Sequence, residues 1–264
     1  MLRNRQRGSS RPMAMVDRIG MRALRLLSAA LCLTLAGCLE MEQTITLQAD
    51  GSGTQAVRMV MPESTFANLK RASQAAKLGG GADPAAVFDK ETVARDLGAA
   101  GLELVDHVAK RVPGKRSVEL TASFGSFAGL QASPLCGSAA EWVLAAGPRE
   151  GTAKLTLYPQ GRQAWLDARA KAEKMPTERD PVTEAFFAKR QEELAGLDLT
   201  IRFDLPGDVL VWTRNLDKTG DRQVTARVTA EQIKTPEDLV RRLAPRFEVI
   251  FDASGCKLPL VSGQ

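Results

Sequence analysis

Residues 39–61 carry the pattern that most restricts what this chain can become. Leu39, Met41, Ile45 and Leu47 alternate with Glu40, Glu42, Thr44 and Thr46, the period of a strand with one buried face. Asp50-Gly51-Ser52-Gly53 follows, a group that tolerates positive φ in a tight turn, and Val57, Met59 and Met61 resume the alternation. This predicts a β-hairpin. The same device recurs at Leu102–Arg111 and Ser117–Phe124, joined by Val112-Pro113-Gly114-Lys115, and at Trp142–Ala146 and Ala153–Tyr158 around Gly147-Pro148. Leu197–Asp204, Val209–Thr213, Val224–Val228 and the run Phe247, Val249, Phe251 read as further strands, with Asp217-Lys218-Thr219-Gly220-Asp221 as a turn.

Helical signals interrupt the strands. Pro62-Glu63-Ser64-Thr65 opens a helix to about Lys77, with Phe66, Leu69, Ser73 and Ala76 near one face, and Gly79-Gly80-Gly81 ends it. Asp89 is placed to cap a helix from Lys90 to Leu97, and Phe124–Leu130 reads as a short helical turn leading to the Cys136 loop. Gln160–Leu197 is charged and broken by Pro176 and Pro181, which predicts two helices, 160–174 and 181–195, as an αα-hairpin. Trp165, Leu166 and Ala170 line the first, and Phe186, Phe187 and Leu194 the second. Thr235-Pro236-Glu237-Asp238 starts a helix that turns Leu239, Val240 and Leu243 inward. Tight turns between consecutive strands imply an antiparallel sheet of hairpins with packed helices, hence an α+β class. With no repeat and no linker composition, residues 38–264 read as one extracytoplasmic domain, the helical hairpin at about 160–195 forming a lobe.

The segment before residue 38 belongs to targeting. Ala23–Ala36 is apolar apart from Arg25, Ser28 and Thr34, and residues 1–37 hold seven arginines against one acid, Asp17. Basic residues, a short apolar stretch and small residues before a cut compose a secretory signal peptide. With Cys38 directly after Leu35-Ala36-Gly37, it resembles the signal of bacterial lipoproteins. That resemblance implies cleavage before Cys38, a diacylglycerol on its thiol and an acylated (palmitate-bearing) amino terminus. The alternative is an ordinary secreted protein, or an uncleaved anchor with a chance cysteine, although the apolar run is short of the roughly 20 residues of a membrane span. Met1, Met13, Met15 and Met21 all remain possible starts. Leu39, rather than Asp, follows the cysteine. By the rule of enterobacterial lipoproteins this implies the outer membrane, periplasmic face, if the host is Gram-negative. Nothing beyond Cys38 offers a second run of spanning length.

Removing the leader changes the charge. The whole chain has 36 basic and 31 acidic side chains, and the remainder 29 against 30, so the positive balance lies in residues 1–37 and a nucleic-acid partner loses its support. Two cysteines remain, Cys136 and Cys256. In an oxidising compartment such a pair most often forms a disulfide, the alternative being two separate buried thiols. A metal site is not expected: the single histidine, His107, sits in a strand beside Asp106, and no CxxC occurs. No GxSxG, HExxH or GxxxxGK[ST] is present. Asp50-Gly51-Ser52-Gly53 and Asp252-Ala253-Ser254-Gly255 lack the Ser or Thr that follows the aspartate in aspartic proteases. No cofactor is implied.

Lipobox cysteine, strand, Asp-Gly-Ser-Gly turn, strand, helices, and a hairpin ending in Phe124-Gly125-Ser126-Phe127 resemble the LppM-type bacterial lipoproteins, over about Cys38 to Leu130 and more loosely over the last strands. The resemblance implies a helix-draped antiparallel sheet and a role in lipid binding. Leu258-Pro259-Leu260-Val261-Ser262-Gly263-Gln264 does not resemble the transmembrane helix that many of that type carry. The expected function is therefore non-enzymatic: a membrane-anchored lipoprotein with a lipid or amphiphile in an apolar pocket between layers, Trp165, Phe186 and Phe187 at its mouth. The alternatives are an envelope protein that uses the charged helical hairpin against a protein partner, and a hydrolase built on scattered carboxylates.

Overall fold

The computed structural model describes residues 39–78, 85–137, 139–175 and 180–261. The Leu35–Cys38 lipobox, the possible starts and the Gly79–Gly81 loop lie outside them. Among the described residues there are eleven strands and six α-helices, a mixed α+β fold.

β1 (Glu40–Leu47) and β2 (Gly53–Pro62) form the expected hairpin, in register from Glu40↔Val60 to Leu47↔Gly53. β3 (Glu103–Val112) and β4 (Lys115–Phe124) form the next, and β5 (Glu141–Ala146) and β6 (Thr152–Tyr158) a third. β7 (Asp198–Asp204), β8 (Val209–Trp212), β9 (Asp217–Gly220), β10 (Gln223–Thr229) and β11 (Phe247–Asp252) complete the set.

Two features differ from the sequence reading. The strands divide between two sheets, seven in the order β3-β4-β2-β1-β7-β10-β9 and four in the order β5-β6-β11-β8. Pairing is antiparallel except between β1 and β7, which run parallel from Glu40↔Asp198 to Thr46↔Asp204. The two strands enter the sheet from the same end, where Asp198 N–H donates to Leu39 O at 2.9 Å. Residues 217–220, expected as a turn, are instead the edge strand β9, because Lys218 and Asp217 pair with Val224 and Thr225 of β10.

Alternation builds the core. On β2, Gly53, Gln55, Val57, Met59 and Met61 are buried while the residues between them are not. The sheets meet across one apolar layer in which Phe203 of β7 stands edge-on to Trp142 of β5 at 6.2 Å and tilted to Phe247 of β11 at 6.3 Å.

The helices lie outside this layer: α1 (Glu63–Leu78), α2 (Lys90–Ala99), α3 (Phe127–Ala132), α4 (Arg162–Glu173), α5 (Pro181–Glu193) and α6 (Pro236–Leu243). Asp89 caps α2 by accepting from Thr92 N at 2.8 Å. Thr235 caps α6 by accepting from Asp238 N at 3.0 Å. The two helices expected in 160–195 both form. The close helical neighbour of α4 is α6, however, and α5 buries only Phe187. No helix among the described residues is long and apolar enough to cross a membrane.

Candidate functional site

Three segments converge on a cleft. α4 begins at Gly161, whose φ of +85° turns the chain back over β6. Arg162 N–H donates to Glu141 Oε2 at 3.1 Å while its guanidinium pairs with Oε1 at 2.8 Å. This fixes Trp165 one turn in, with its ring 5.7 Å from that of Tyr158. α6 ends in Arg241 and Arg242, cations against the negative end of the helix dipole. Pro245 follows, and Arg246 lays its guanidinium over the Trp165 ring at 4.9 Å. From the third side, Asn215 Nδ2 donates to Arg246 O at 3.0 Å and Thr213 N–H to Glu248 O at 3.0 Å, which locks the turn after β8 onto the start of β11.

The cleft is open to solvent and holds about 400 Å³, with Trp165 and Arg169 of α4, Arg241 of α6, Arg246, Thr213 and Asn215 around it. Its one carboxylate, Glu173, is held by Arg169 at 3.0 Å. Among the described residues Arg241 has no carboxylate partner. The lining therefore has three guanidiniums against one carboxylate, an indole face and two neutral hydrogen-bonding side chains. Guanidinium forks match phosphate and carboxylate oxygens two at a time, and the indole suits a flat or apolar part of the same ligand.

The start of β1 is framed by β7 and β10. β7 and β1 start together, β10 ends there with Thr229 opposite Asp198, and Ala230 N–H donates to Leu197 O at 3.1 Å before the chain turns into α6.

Of the three aromatic residues expected at a ligand mouth, only Trp165 lines the cleft. Phe187 is buried, and Phe186, 58% exposed, points outward under Arg190 with the guanidinium 5.2 Å from its ring. Adjacent positions on a helix face about 100° apart, so one of the pair had to leave the other's side. Between the two sheets Phe203, Phe251, Leu144 and Leu157 are each buried and fill the core.

The disulfide expectation is corrected: Cys136 and Cys256 are both free. Cys256 is half-buried in the turn after β11, its N–H donating to Ala253 O at 2.9 Å. The Cys136 thiol is turned the other way, into a polar group that the alternation pattern concealed. Gln55 Nε2 donates to Cys136 Sγ at 2.9 Å and Gln43 Nε2 at 3.5 Å, and Gln43 Nε2 also donates to Leu135 O at 3.2 Å. Ser133 Oγ donates to Gln55 Oε1 and accepts from Leu135 N at 3.3 Å. Trp142 Nε1 is buried beside them and has the Cys136 thiol as its one weak acceptor, outside strict hydrogen-bond geometry. Burial pushes the Cys136 thiol up to about 12, against the opposing pull of the Gln55, Trp142 and Gln43 donors, so at neutral pH it is a protonated, unreactive thiol. This group pins the 133–136 loop onto β1 and β2.

The other titratable residues singled out in the sequence have structural partners. His107 Nε2 lies 3.0 Å from Val87 O. Asp50 Oδ1 accepts from Ser52 Oγ at 2.6 Å and Ser52 N at 3.0 Å, and Asp252 Oδ1 from Ser254 N at 2.9 Å. These bonds hold both carboxyls below the usual range, as in turn-capping aspartates. Among the described residues no three His, Cys, Asp or Glu side chains gather in a way that would hold a metal ion.

No protein-family profile matches the chain, and no curated protein does. Among solved structures it is similar to the folded domain of LppM from Mycobacterium tuberculosis, with 10% identity, 84% of this chain and 94% of that chain covered, and a TM-score of 0.43.

Proposed function

We propose that this is a non-enzymatic, lipid-anchored protein of a bacterial envelope that holds the anionic headgroup of an amphiphile in the Trp165 cleft. The observation that carries the reading is the convergence of Arg169, Arg241 and Arg246 on Trp165. A lipid on Cys38, immediately before Leu39, would hold the domain against the bilayer, and Leu39 itself argues for the periplasmic face of an outer membrane in a Gram-negative host. The space suits a headgroup bearing phosphate or carboxylate rather than acyl chains, which would stay in the membrane. Native mass spectrometry of the protein purified from its own membrane tests this. The expected result is a retained anionic amphiphile that is lost on Arg241→Glu with Arg246→Glu. Equal loading of both forms, or none on either, would overturn it.

A second reading, a protein partner on α5, is favoured by Val182 and Phe186, 78% and 58% exposed and one turn apart. A stoichiometric protein that co-purifies with the wild type and is lost on Phe186→Ser would favour it.

A further inference from the structure

The end of the large sheet where β1 begins has a feature of its own, on the β4 side of β1. The β3–β4 hairpin turns through Pro113 and Gly114, with Gly114 at φ +75°, and the run Lys110, Arg111, Val112, Pro113, Gly114, Lys115 is exposed throughout. Val112, 46% exposed, presents an aliphatic side chain at the tip, as Val105, 60% exposed, does farther along β3. The tip is next to the start of the chain's first strand. Pro62 pairs with Lys115, Val60 pairs with Glu40, and Lys115 Nζ lies 3.7 Å from Glu40 Oε1. That distance puts the hairpin tip one side chain away from residue 40, two residues after Cys38.

The charges around the tip are unequal. Among the described residues Arg111 and Arg116 pair with Glu63 and Lys115 with Glu40, while Lys110 makes no ion pair. Glu63 is shared between Arg116 at 3.1 Å and Arg111 at 3.3 Å, and Arg116 is drawn inward over the Phe66 ring at 4.2 Å. Two positive charges are left over, on long side chains that flank an exposed Val-Pro step. An aliphatic tip framed by cations whose stems lie along apolar surface is the composition of an interfacial contact: the apolar residues enter the headgroup boundary and the ammonium and guanidinium groups meet lipid phosphates.

We infer that the β3–β4 hairpin tip, Lys110 to Lys115, is a docking surface for an anionic lipid bilayer. It sets the tilt of the domain on the membrane from the β3–β4 side of β1. The inference takes its orientation from the anchoring reading above, but not its chemistry. The tip is adjacent to the start of β1, so a lipid attached just before that strand would bring the tip to the surface.

The test uses the chain from Leu39 onward, which holds both sheets and the whole core. It is tethered through an amino-terminal histidine tag to vesicles bearing a nickel-chelating lipid, so that the result is independent of what Cys38 carries. Val112→Cys in a Cys256→Ser background takes an environment-sensitive dye. The expected result is a blue shift and loss of iodide quenching on vesicles containing phosphatidylglycerol but not on phosphatidylcholine alone. High salt, or Arg111→Glu with Lys115→Glu, should abolish both changes. A dye on Ser52→Cys, in the β1–β2 turn at the opposite end, should stay wet. A dye at residue 112 that remains fully quenched by iodide on phosphatidylglycerol vesicles, or that responds no more than the one at residue 52, overturns the inference. Neither outcome depends on Arg241 or Arg246, so the cleft stands or falls separately.

Discussion

Gln55→Leu is the substitution that most sharply tests the buried polar group. Gln55 is 0% exposed, its Oε1 accepts from Ser133 Oγ, and its Nε2 donates to Cys136 Sγ at 2.9 Å. Leucine has nearly the same volume, so the cavity contribution is small and the loss is polar. The Ser133 hydroxyl still accepts from Leu135 N but has no acceptor for its own proton, which for a buried donor costs about 1–3 kcal/mol. The thiol is a weak acceptor and adds little, while sparing a buried amide its desolvation returns part of the cost. The expected net loss is about 1.5 kcal/mol, which lowers the urea midpoint by about 0.5 M at an m value of about 2–3 kcal/mol/M. A double-mutant cycle with Ser133→Ala separates the mechanism from simple misfit. With both partners gone the orphaned proton disappears, and the double mutant should be no less stable than Gln55→Leu alone, giving a coupling of about 1 kcal/mol. A single mutant as stable as wild type, or costs that add without coupling, would refute the reasoning.

The other predictions concern thiols, charge and close packing. Ellman's reagent should label Cys256 in the native protein, more slowly than an ordinary thiol because burial raises its pKa, and Cys136 only after unfolding. An unreduced protein that shows a Cys136–Cys256 bridge by mass would contradict both. Asp198, which accepts from Arg227 at 2.9 and 2.6 Å, has its carboxyl held low by that guanidinium. Its contribution is therefore complete above the unfolded carboxyl's pKa of about 3.9 and lost as pH falls through the lower folded value. Asp198→Asn should cost about 0.5 kcal/mol at pH 7, the pair being largely exposed, and nothing in strong acid, by urea titration at each pH. Gly53→Ala would place a Cβ 1.9 Å from Thr46 O and 2.7 Å from the Phe124 ring, so a loss of about 3 kcal/mol or failure to fold is expected, read from the thermal midpoint.

Local chemistry made much of the fold legible. Asp89 and Thr235 cap helices where the sequence placed them, because a cap needs only a short polar side chain followed by a helical run. The hairpins followed from period-two alternation and turn residues that sit a few positions apart. What depended on distant partners was hidden. The parallel pairing of β1 with β7 joins residues about 160 apart and is set by α5 delivering β7 to the end where β1 starts. Gln43 and Gln55 occupy inward positions of otherwise apolar strands, and only the polar 133–136 loop packed on them makes their burial favourable. Cys136 and Cys256 looked like a bridge because pairing statistics carry no geometry. The cleft arginines come from α4, α6 and the step before β11, each reading as part of a solvated charged surface until the packing of α4 on α6 brings them together. Trp165 was legible as a candidate, while its neighbours in the cleft were not its neighbours in sequence.

The central claim is headgroup recognition by that cleft, and the most direct measurement is Trp165 fluorescence during titration with a short-chain phosphatidylglycerol below its micelle concentration. The chain from Leu39 onward serves, with Trp165→Phe to identify the contribution of this tryptophan among the three. The account predicts a saturable change that weakens with salt, falls more than tenfold in affinity on Arg241→Glu with Arg246→Glu, and is absent with the matching phosphatidylcholine. A change of equal size with both lipids, or one untouched by reversing the two arginines, would contradict it.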